Sequence, residues 1–167
     1  MSEETKTTEK PEPHRGSSKL LIRVSLVALF AALTAAGAFI AIPVGPVPIV
    51  LQNLFALLSG LILGPVMGAA AVGLYLVAGI LGLPVFAAGT AGIARFAGPT
   101  GGYLVGYLLS ALAAGVIAGK AGARPPRLRI IAAVVVGLLI LYVPGVLWLK
   151  TRLNLQWMQA LWMGFFP

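Results

Sequence analysis

One charged side chain, Arg95, interrupts a stretch of sequence that is otherwise free of charge over residues 24–119. No Asp or Glu follows Glu12, so the sequence offers Arg95 no acidic partner after that point. An apolar stretch of this length, broken only by Gly, Pro and a few polar residues, favours helices that cross a membrane. An unpaired cation near membrane depth then predicts an anion that comes from elsewhere.

Composition agrees with a membrane protein. Hydrophobic residues make up 59% of the 167 residues and charged residues 10%, and the apolar residues occur in runs rather than at amphipathic spacing. The 12 Pro and 21 Gly residues are tolerated in membrane helices, where neighbouring helices satisfy the freed backbone groups. We therefore predict an all-α integral membrane protein.

The apolar segments predict a bundle of about six transmembrane helices. The segments are residues 24–42, 49–63, 66–83, 101–121 and 130–149, and a sixth that starts at 154 and is too short to span. Prolines at 43–48 and the Gly64-Pro65 pair end helices, and Pro144 predicts a kink. We expect residues 1–19 to form a disordered cytoplasmic tail and residues 20–167 one transmembrane domain.

The first segment has an alternative interpretation. Lys19 and Arg23 ahead of an apolar run, with small residues at 36–38, are also typical of a secretory signal. The run over residues 24–42 is long enough to span a bilayer, which favours a retained first helix.

The basic residues predict the orientation. With a cytoplasmic amino terminus, three of the 12 basic residues, Arg95, Lys150 and Arg152, lie outside and the other nine inside. This excess inside predicts a multi-pass plasma-membrane protein with a cytoplasmic amino terminus. Residues 43–48 and 84–100 then lie together on the external face.

Catalysis and nucleic-acid binding are disfavoured. Residues 24–167 contain no His, Asp, Glu or Cys, so neither paired carboxylates, a nucleophile with its base nor a metal site is predicted. The basic residues flank apolar segments instead of forming a continuous basic surface that could bind the phosphates of a nucleic acid. Residues 115–120, GVIAGK, lack the spacing of a phosphate loop. We predict no enzyme activity, cofactor or metal.

Polar side chains within the apolar segments are candidates for a binding site. Gln52 and Asn53 are adjacent amides that suit a ureido or amide group, or that instead join helices by hydrogen bonds. Adjacent positions on a helix point about 100° apart, so we expect one of them, Gln52, to face a ligand. Tyr75 is a candidate wall or hydroxyl donor, or else a packing residue.

Arg95 lies in a Gly-rich segment, residues 84–100, that stays at membrane depth only if it packs on protein or lines a cavity. The guanidinium suits a substrate carboxylate. The alternative is a cation that extends to lipid headgroups.

Two stripes of small residues predict close helix contacts. One lies on the first helix, at Ala28, Ala32 and Ala36, and favours either internal packing or contact with another subunit. The other lies on the fourth helix and predicts internal packing; it comprises Gly102, Gly106, Ser110, Ala114 and Ala118.

Two segments carry a family resemblance. Residues 45–65, GPVPIVLQNLFALLSGLILGP, and residues 74–111, with LGLPVF and GPTGGYLVG, closely resemble the BioY family. That family comprises the biotin-binding S components of energy-coupling factor (ECF) transporters. The resemblance implies an S-component-like bundle of six helices that binds biotin from outside, beneath a loop that matches residues 84–100.

The resemblance also implies partners and site residues. Ala28, Ala32 and Ala36 match the face that docks a transmembrane T component, and two ABC-type ATPases drive uptake. Gln52 matches the family's glutamine after GPVPI. We predict a substrate-binding set composed of Gln52, Asn53, Tyr75, Thr90, Arg95 and Tyr103.

The sequence departs from the family pattern at three places. Val50 replaces a common threonine, and Thr90 stands where some members carry arginine, so Arg95 substitutes for that cation or is incidental. Relatives continue beyond the position of Pro167 with a Pro-Gly-Asp motif and a lysine, which implies a sixth helix cut short here, either in a truncated sequence or in a shortened protein. The alternatives to biotin binding are another vitamin or a structural or assembly role in another membrane complex.

Overall fold

Helices account for most of the residues that the computed structural model describes, which are 15–42, 47–122 and 125–164. The α-helices are α1 Arg15–Phe39, α2 Gln52–Leu63, α3 Pro65–Ile80, α4 Ala94–Ala97, α5 Gly101–Ala118, α6 Arg127–Leu153 and α7 Trp157–Gly164. Two short antiparallel strands, β1 Ala41–Ile42 and β2 Ile49–Val50, connect α1 to α2. A 3₁₀ turn, Ala87–Gly89, lies between α3 and α4.

The helix boundaries differ in places from the predicted segments. Helix α1 begins at Arg15, so the predicted tail boundary at residue 19 falls inside a helix, and residues 1–14 lie outside the described residues. Helix α6 extends the predicted fifth segment at both ends and is continuous through Pro144. The single turn α4 was predicted only as part of a loop.

The turn between α2 and α3 shows how the sequence sets the packing. Gly64 has φ 80°, a conformation that favours glycine, and Pro65 occupies the first turn of α3, where its missing N–H costs nothing. A Cβ on Gly64 would lie 3.0 Å from the backbone nitrogen of Ala121. The Gly64-Pro65 turn therefore packs directly onto the chain that follows α5.

Helix α5 is the central helix of the bundle. It packs against α2, α3 and α6. Its small-residue stripe is buried, as predicted for internal packing. A Cβ on Gly106 would lie 2.6 Å from the Leu141 carbonyl oxygen of α6, so glycine permits the two backbones to touch.

Three helices are long and apolar enough to cross a membrane among the described residues: residues 17–39 of α1, α5 and α6. Helices α2 and α3 have 12 and 16 residues, which at 1.5 Å per residue is less than the roughly 30 Å hydrocarbon core. The strand pair precedes α2 and the segment 81–100 follows α3. These irregular segments extend the chain beyond the two short helices.

Helix α1 lies at one side of the bundle, against α2 and α3. Ala31, Thr34 and Ala38 are buried on the face toward those helices. The predicted stripe of Ala28, Ala32 and Ala36 is exposed. Large apolar side chains are also exposed along α1 and α6, as expected for surfaces that face lipid.

Candidate functional site

A cavity of about 430 Å³ lies where the strand pair, the segment 84–100 and the adjoining ends of the helices meet. Its wall includes residues from α2, α5 and α6, and it is mainly aromatic and aliphatic. Arg95 is the one charged side chain among the described residues that line it. Because irregular backbone at membrane depth requires such a setting, the cavity accounts for the position of the Gly-rich segment.

The first two residues of α2 both line the cavity. Gln52 is 1% exposed, and its side-chain nitrogen has no hydrogen-bond partner among the described residues. A Cβ on Gly37 would lie 2.8 Å from the backbone nitrogen of Gln52, so this glycine of α1 lets the start of α2 approach closely. Both amides thus line the cavity, whereas helix geometry predicted that one of them, Gln52, faces a ligand.

Asn53 is held by two tyrosines that were not among the predicted site residues. The Tyr107 hydroxyl donates to Asn53 Oδ1 at 2.7 Å, and Asn53 Nδ2 donates to the Tyr142 hydroxyl at 3.3 Å. The three residues come from α2, α5 and α6, and all of them line the cavity. A tyrosine in an apolar helix is the one sequence signal that points to Tyr107 and Tyr142.

Tyr103 lines the cavity near α7. Its hydroxyl donates to the Gly164 carbonyl oxygen at 2.8 Å, and its ring meets the Tyr142 ring edge to face at 6.1 Å. Gly145 of α6 lies beneath the Tyr103 ring, where a Cβ would collide with the ring carbons. Tyr103 thus joins α5, α6 and α7 at the cavity wall.

Tyr75 lies behind the wall rather than in it, in contrast to its predicted position. It is 1% exposed, and its hydroxyl lies near the Gln52 amide without hydrogen-bond geometry. Its ring meets the Phe86 ring edge to face at 5.6 Å. Tyr75 therefore contacts both a cavity amide and the segment that covers the cavity.

The segment 84–100 is attached to the bundle near each end. Phe86 is buried against Gly79, where a Cβ would overlap the Phe86 ring. The Trp148 indole N–H donates to the Gly98 carbonyl oxygen at 2.9 Å. Thr90 lines the cavity, but its hydroxyl donates to the Ala87 carbonyl oxygen at 2.9 Å within the segment itself.

Arg95 belongs to α4 and is partly buried at the cavity. The other two cations predicted on the same side contact aromatic rings, with Lys150 over Trp157 and Arg152 over Trp148, each 4.7 Å from the ring centroid. The described residues include no group of three or more His, Cys, Asp or Glu that could hold a metal ion. The groups at the cavity therefore suit reversible binding of a small anion with an amide-like group.

The structure brings together five of the six predicted site residues. Gln52, Asn53, Thr90, Arg95 and Tyr103 all line the cavity, and Tyr75 lies directly behind Gln52.

Comparison with known proteins gives one consistent result. The model of the BioY family matches residues 7–167. A probable biotin transporter BioY of Pyrococcus horikoshii is 44% identical over 144 residues, which cover 86% of this chain and 83% of the relative. The biotin transporter BioY of Thermotoga maritima is 41% identical over 139 residues, or 83% of this chain and 80% of the relative.

A solved structure agrees with these relatives. The crystal structure of the S-component for biotin from an ECF-type ABC transporter matches with a TM-score of 0.79 and 27% identity. The match covers 89% of this chain and 82% of the other. It confirms the predicted fold class, a helical membrane bundle of the S-component type.

Proposed function

The chain belongs to the BioY family, and we propose that it is a multi-pass membrane subunit that binds biotin for an ECF-type transporter and has no enzyme activity of its own. The cavity captures biotin from the external face, and the transporter then delivers the vitamin inward. The family resemblance predicted from residues 45–65 and 74–111 is confirmed.

The observation that carries this proposal is the chemistry of the cavity wall. Helix α2 contributes two amides, the segment 84–100 contributes the Arg95 cation, and aromatic rings form much of the remainder. Biotin combines a ureido ring, an apolar body and a carboxylate, and each part finds a matching group in this set. The volume of about 430 Å³ lies within the usual range of small-molecule sites, roughly 300–1,000 Å³.

Two contacts define the proposed site more closely. The unpaired Gln52 side-chain nitrogen donates to the ureido group, because a buried N–H without an acceptor is costly. Arg95 binds the carboxylate, with Thr90 and Tyr103 as neighbouring wall residues.

The external position of the cavity is supported by the charges at the other end of the bundle. Lys120 follows the end of α5 that is remote from Tyr103, and Arg127 and Arg129 begin α6 nearby in sequence. Excess Lys and Arg favours the cytoplasmic side. We therefore place the amino terminus in the cytoplasm and the protein in the plasma membrane.

The exposed face of α1 is the proposed docking surface for a transmembrane T component, which in turn contacts ABC-type ATPase subunits. Ala28, Ala32 and Ala36 are exposed at intervals of four residues, and small residues at this spacing let two helices approach closely in lipid. The substitution Ala32→Trp would then abolish copurification with the T component while biotin binding by the isolated subunit persists.

Calorimetric titration of biotin into the full chain in detergent tests the proposal. Saturable one-to-one binding is the expected result. Titration with riboflavin and thiamin in parallel identifies a different vitamin if one of these saturates the site and biotin does not. Absence of saturable binding with all three would overturn the proposal and favour a structural or assembly role.

A further inference from the structure

The Asn53 carboxamide is held from two directions by side chains of other helices. Tyr107 of α5 lies 2.7 Å from its oxygen, and Tyr142 of α6 lies 3.3 Å from its nitrogen. Asn53 is partly buried and faces the cavity, whereas Tyr107 is almost fully buried. An amide fixed at both ends cannot turn over to suit whichever ligand enters.

We propose that Tyr107 is a positioning residue that fixes which end of the Asn53 amide is the acceptor, and that the cavity thereby prefers a cyclic urea to its imino analogue. This inference rests on the proposed function, because it specifies how the same cavity distinguishes ligands of one shape.

The direction of the Tyr107 hydrogen bond follows from the number of its partners. Asn53 is the one hydrogen-bond partner of the Tyr107 hydroxyl among the described residues. A buried hydroxyl with a single partner is best satisfied by donating its proton, because an O–H left without an acceptor is costly. The Asn53 oxygen therefore faces Tyr107, and its nitrogen faces Tyr142.

The amide keeps spare hydrogen-bonding capacity at both ends. Its nitrogen carries two protons and uses one toward Tyr142, and its oxygen has two lone pairs and uses one toward Tyr107. One N–H on the Asn53 nitrogen and one lone pair on the Asn53 oxygen remain available, and each stays at a fixed end of the amide. A urea group presents a carbonyl oxygen beside an N–H, which is the complementary order.

The imino analogue of biotin has the same shape but a different pattern of donors. Its ureido oxygen is replaced by an imino nitrogen, which is protonated near neutral pH and so donates where the oxygen accepted. With the amide fixed, this donor meets the Asn53 N–H, and neither has an acceptor. The cavity should therefore bind biotin more tightly than the imino analogue.

The test compares the ratio of the dissociation constants of the imino analogue and of biotin in matched variants. Tyr107→Phe removes only the hydroxyl and frees the amide to turn, so the ratio should fall about three- to tenfold. Ser59→Ala is the control, because that buried hydroxyl bonds to the Ala56 carbonyl oxygen and does not line the cavity. The ratio should stay at its wild-type value in the control, whatever happens to either affinity.

A second variant makes the test independent of how well Tyr107→Phe folds. Asn53→Asp places an acceptor at both ends, so it should shift the preference toward the protonated imino analogue. In that background Tyr107→Phe should leave the ratio unchanged, because a carboxylate has no donor end to orient.

The outcomes separate this inference from the proposed function. If biotin fails to saturate the wild-type protein, the proposed function is wrong. If wild type binds biotin and Tyr107→Phe weakens both ligands in equal proportion, Tyr107 is purely structural and the positioning role is overturned. A wild-type ratio near one would also overturn it.

Discussion

The two halves of the bundle, the one that contains the cavity and the one remote from it, are built for opposite purposes. The half that contains the cavity presents Tyr103 and Tyr107 of α5 to it, and their hydroxyls bond to residues of other helices. The half remote from the cavity presents small residues that bring α5 against neighbouring backbones, as where a Cβ on Gly115 would lie 2.5 Å from Pro65. Large side chains hold helices apart where a ligand must fit, and small ones let them touch where only stability is required.

The largest expected effect lies in the closely packed half. Gly60 of α2 lies against the Ala111 carbonyl of α5 with no space for a Cβ, so Gly60→Val should cost about 3 kcal/mol by overpacking. Gly73→Ala is the matched control, because its Cβ would lie 4.0 Å from the nearest atom, the Leu108 Cδ1. Unfolding in detergent should show a large decrease in the free energy of unfolding for Gly60→Val and no decrease for Gly73→Ala. Equal stability of both variants would show that the contact at Gly60 relaxes easily.

The next largest expected effect concerns Arg95, the cation that lines the cavity. Arg95→Ala should weaken biotin by about 1.5–3 kcal/mol, the range for a hydrogen bond to a charged group. The affinity for biotin with an amidated carboxylate should fall much less in the same variant. Arg95→Lys should retain part of the affinity for biotin. Calorimetric titration of both ligands into each variant measures this. An equal loss for the acid and the amide would mean that Arg95 makes no contact with the carboxylate.

Gln52→Leu should separate binding from stability. Removing the unpaired Gln52 side-chain nitrogen should weaken biotin and its amide alike by about 1–2 kcal/mol. The ligand-free protein should be as stable as wild type or more so, because a buried polar atom without a partner is lost. Paired binding and thermal-unfolding measurements check both halves of the prediction. Unchanged affinity would make Gln52 a structural residue.

The smallest effect returns to the packed half. The Ser110 hydroxyl is buried without a partner among the described residues, so Ser110→Ala should change stability by less than about 0.5 kcal/mol or increase it. Ser59 provides the comparison, since its hydroxyl contacts the Ala56 carbonyl oxygen at 2.7 Å. Ser59→Ala should cost about 1 kcal/mol. If unfolding shows the reverse order, Ser110 has a partner outside the described residues.

The sequence predicted the elements that depend on local chemistry. Gly64-Pro65 separates α2 from α3 as expected, because a positive φ and a missing N–H act within one turn. Arg95 was identifiable because a single charge in an apolar stretch needs a specific reason. The helical membrane class followed from the apolar runs.

The sequence did not predict contacts that depend on the fold. Asn53 is 54 residues from Tyr107 and 89 from Tyr142, and their hydrogen bonds exist only because three helices converge. A tyrosine in an apolar helix has the same local pattern whether it packs or donates, which is why Tyr75 was placed in the wall and lies behind it. Gln52 and Asn53 were both predicted as site residues, but helix geometry alone did not predict that both would line the cavity.

The charged side chains in the described part of the chain are all positive, because no acidic residue follows Glu12. An anion near the cavity therefore meets a potential that no neighbouring carboxylate opposes, and dissolved ions provide the screening. The rate at which a carboxylate ligand enters should fall as salt is added, whereas the rate for an uncharged amide of the same shape should stay nearly constant. The one-sided charge of the sequence thus acts on the speed of capture as well as on the strength of binding.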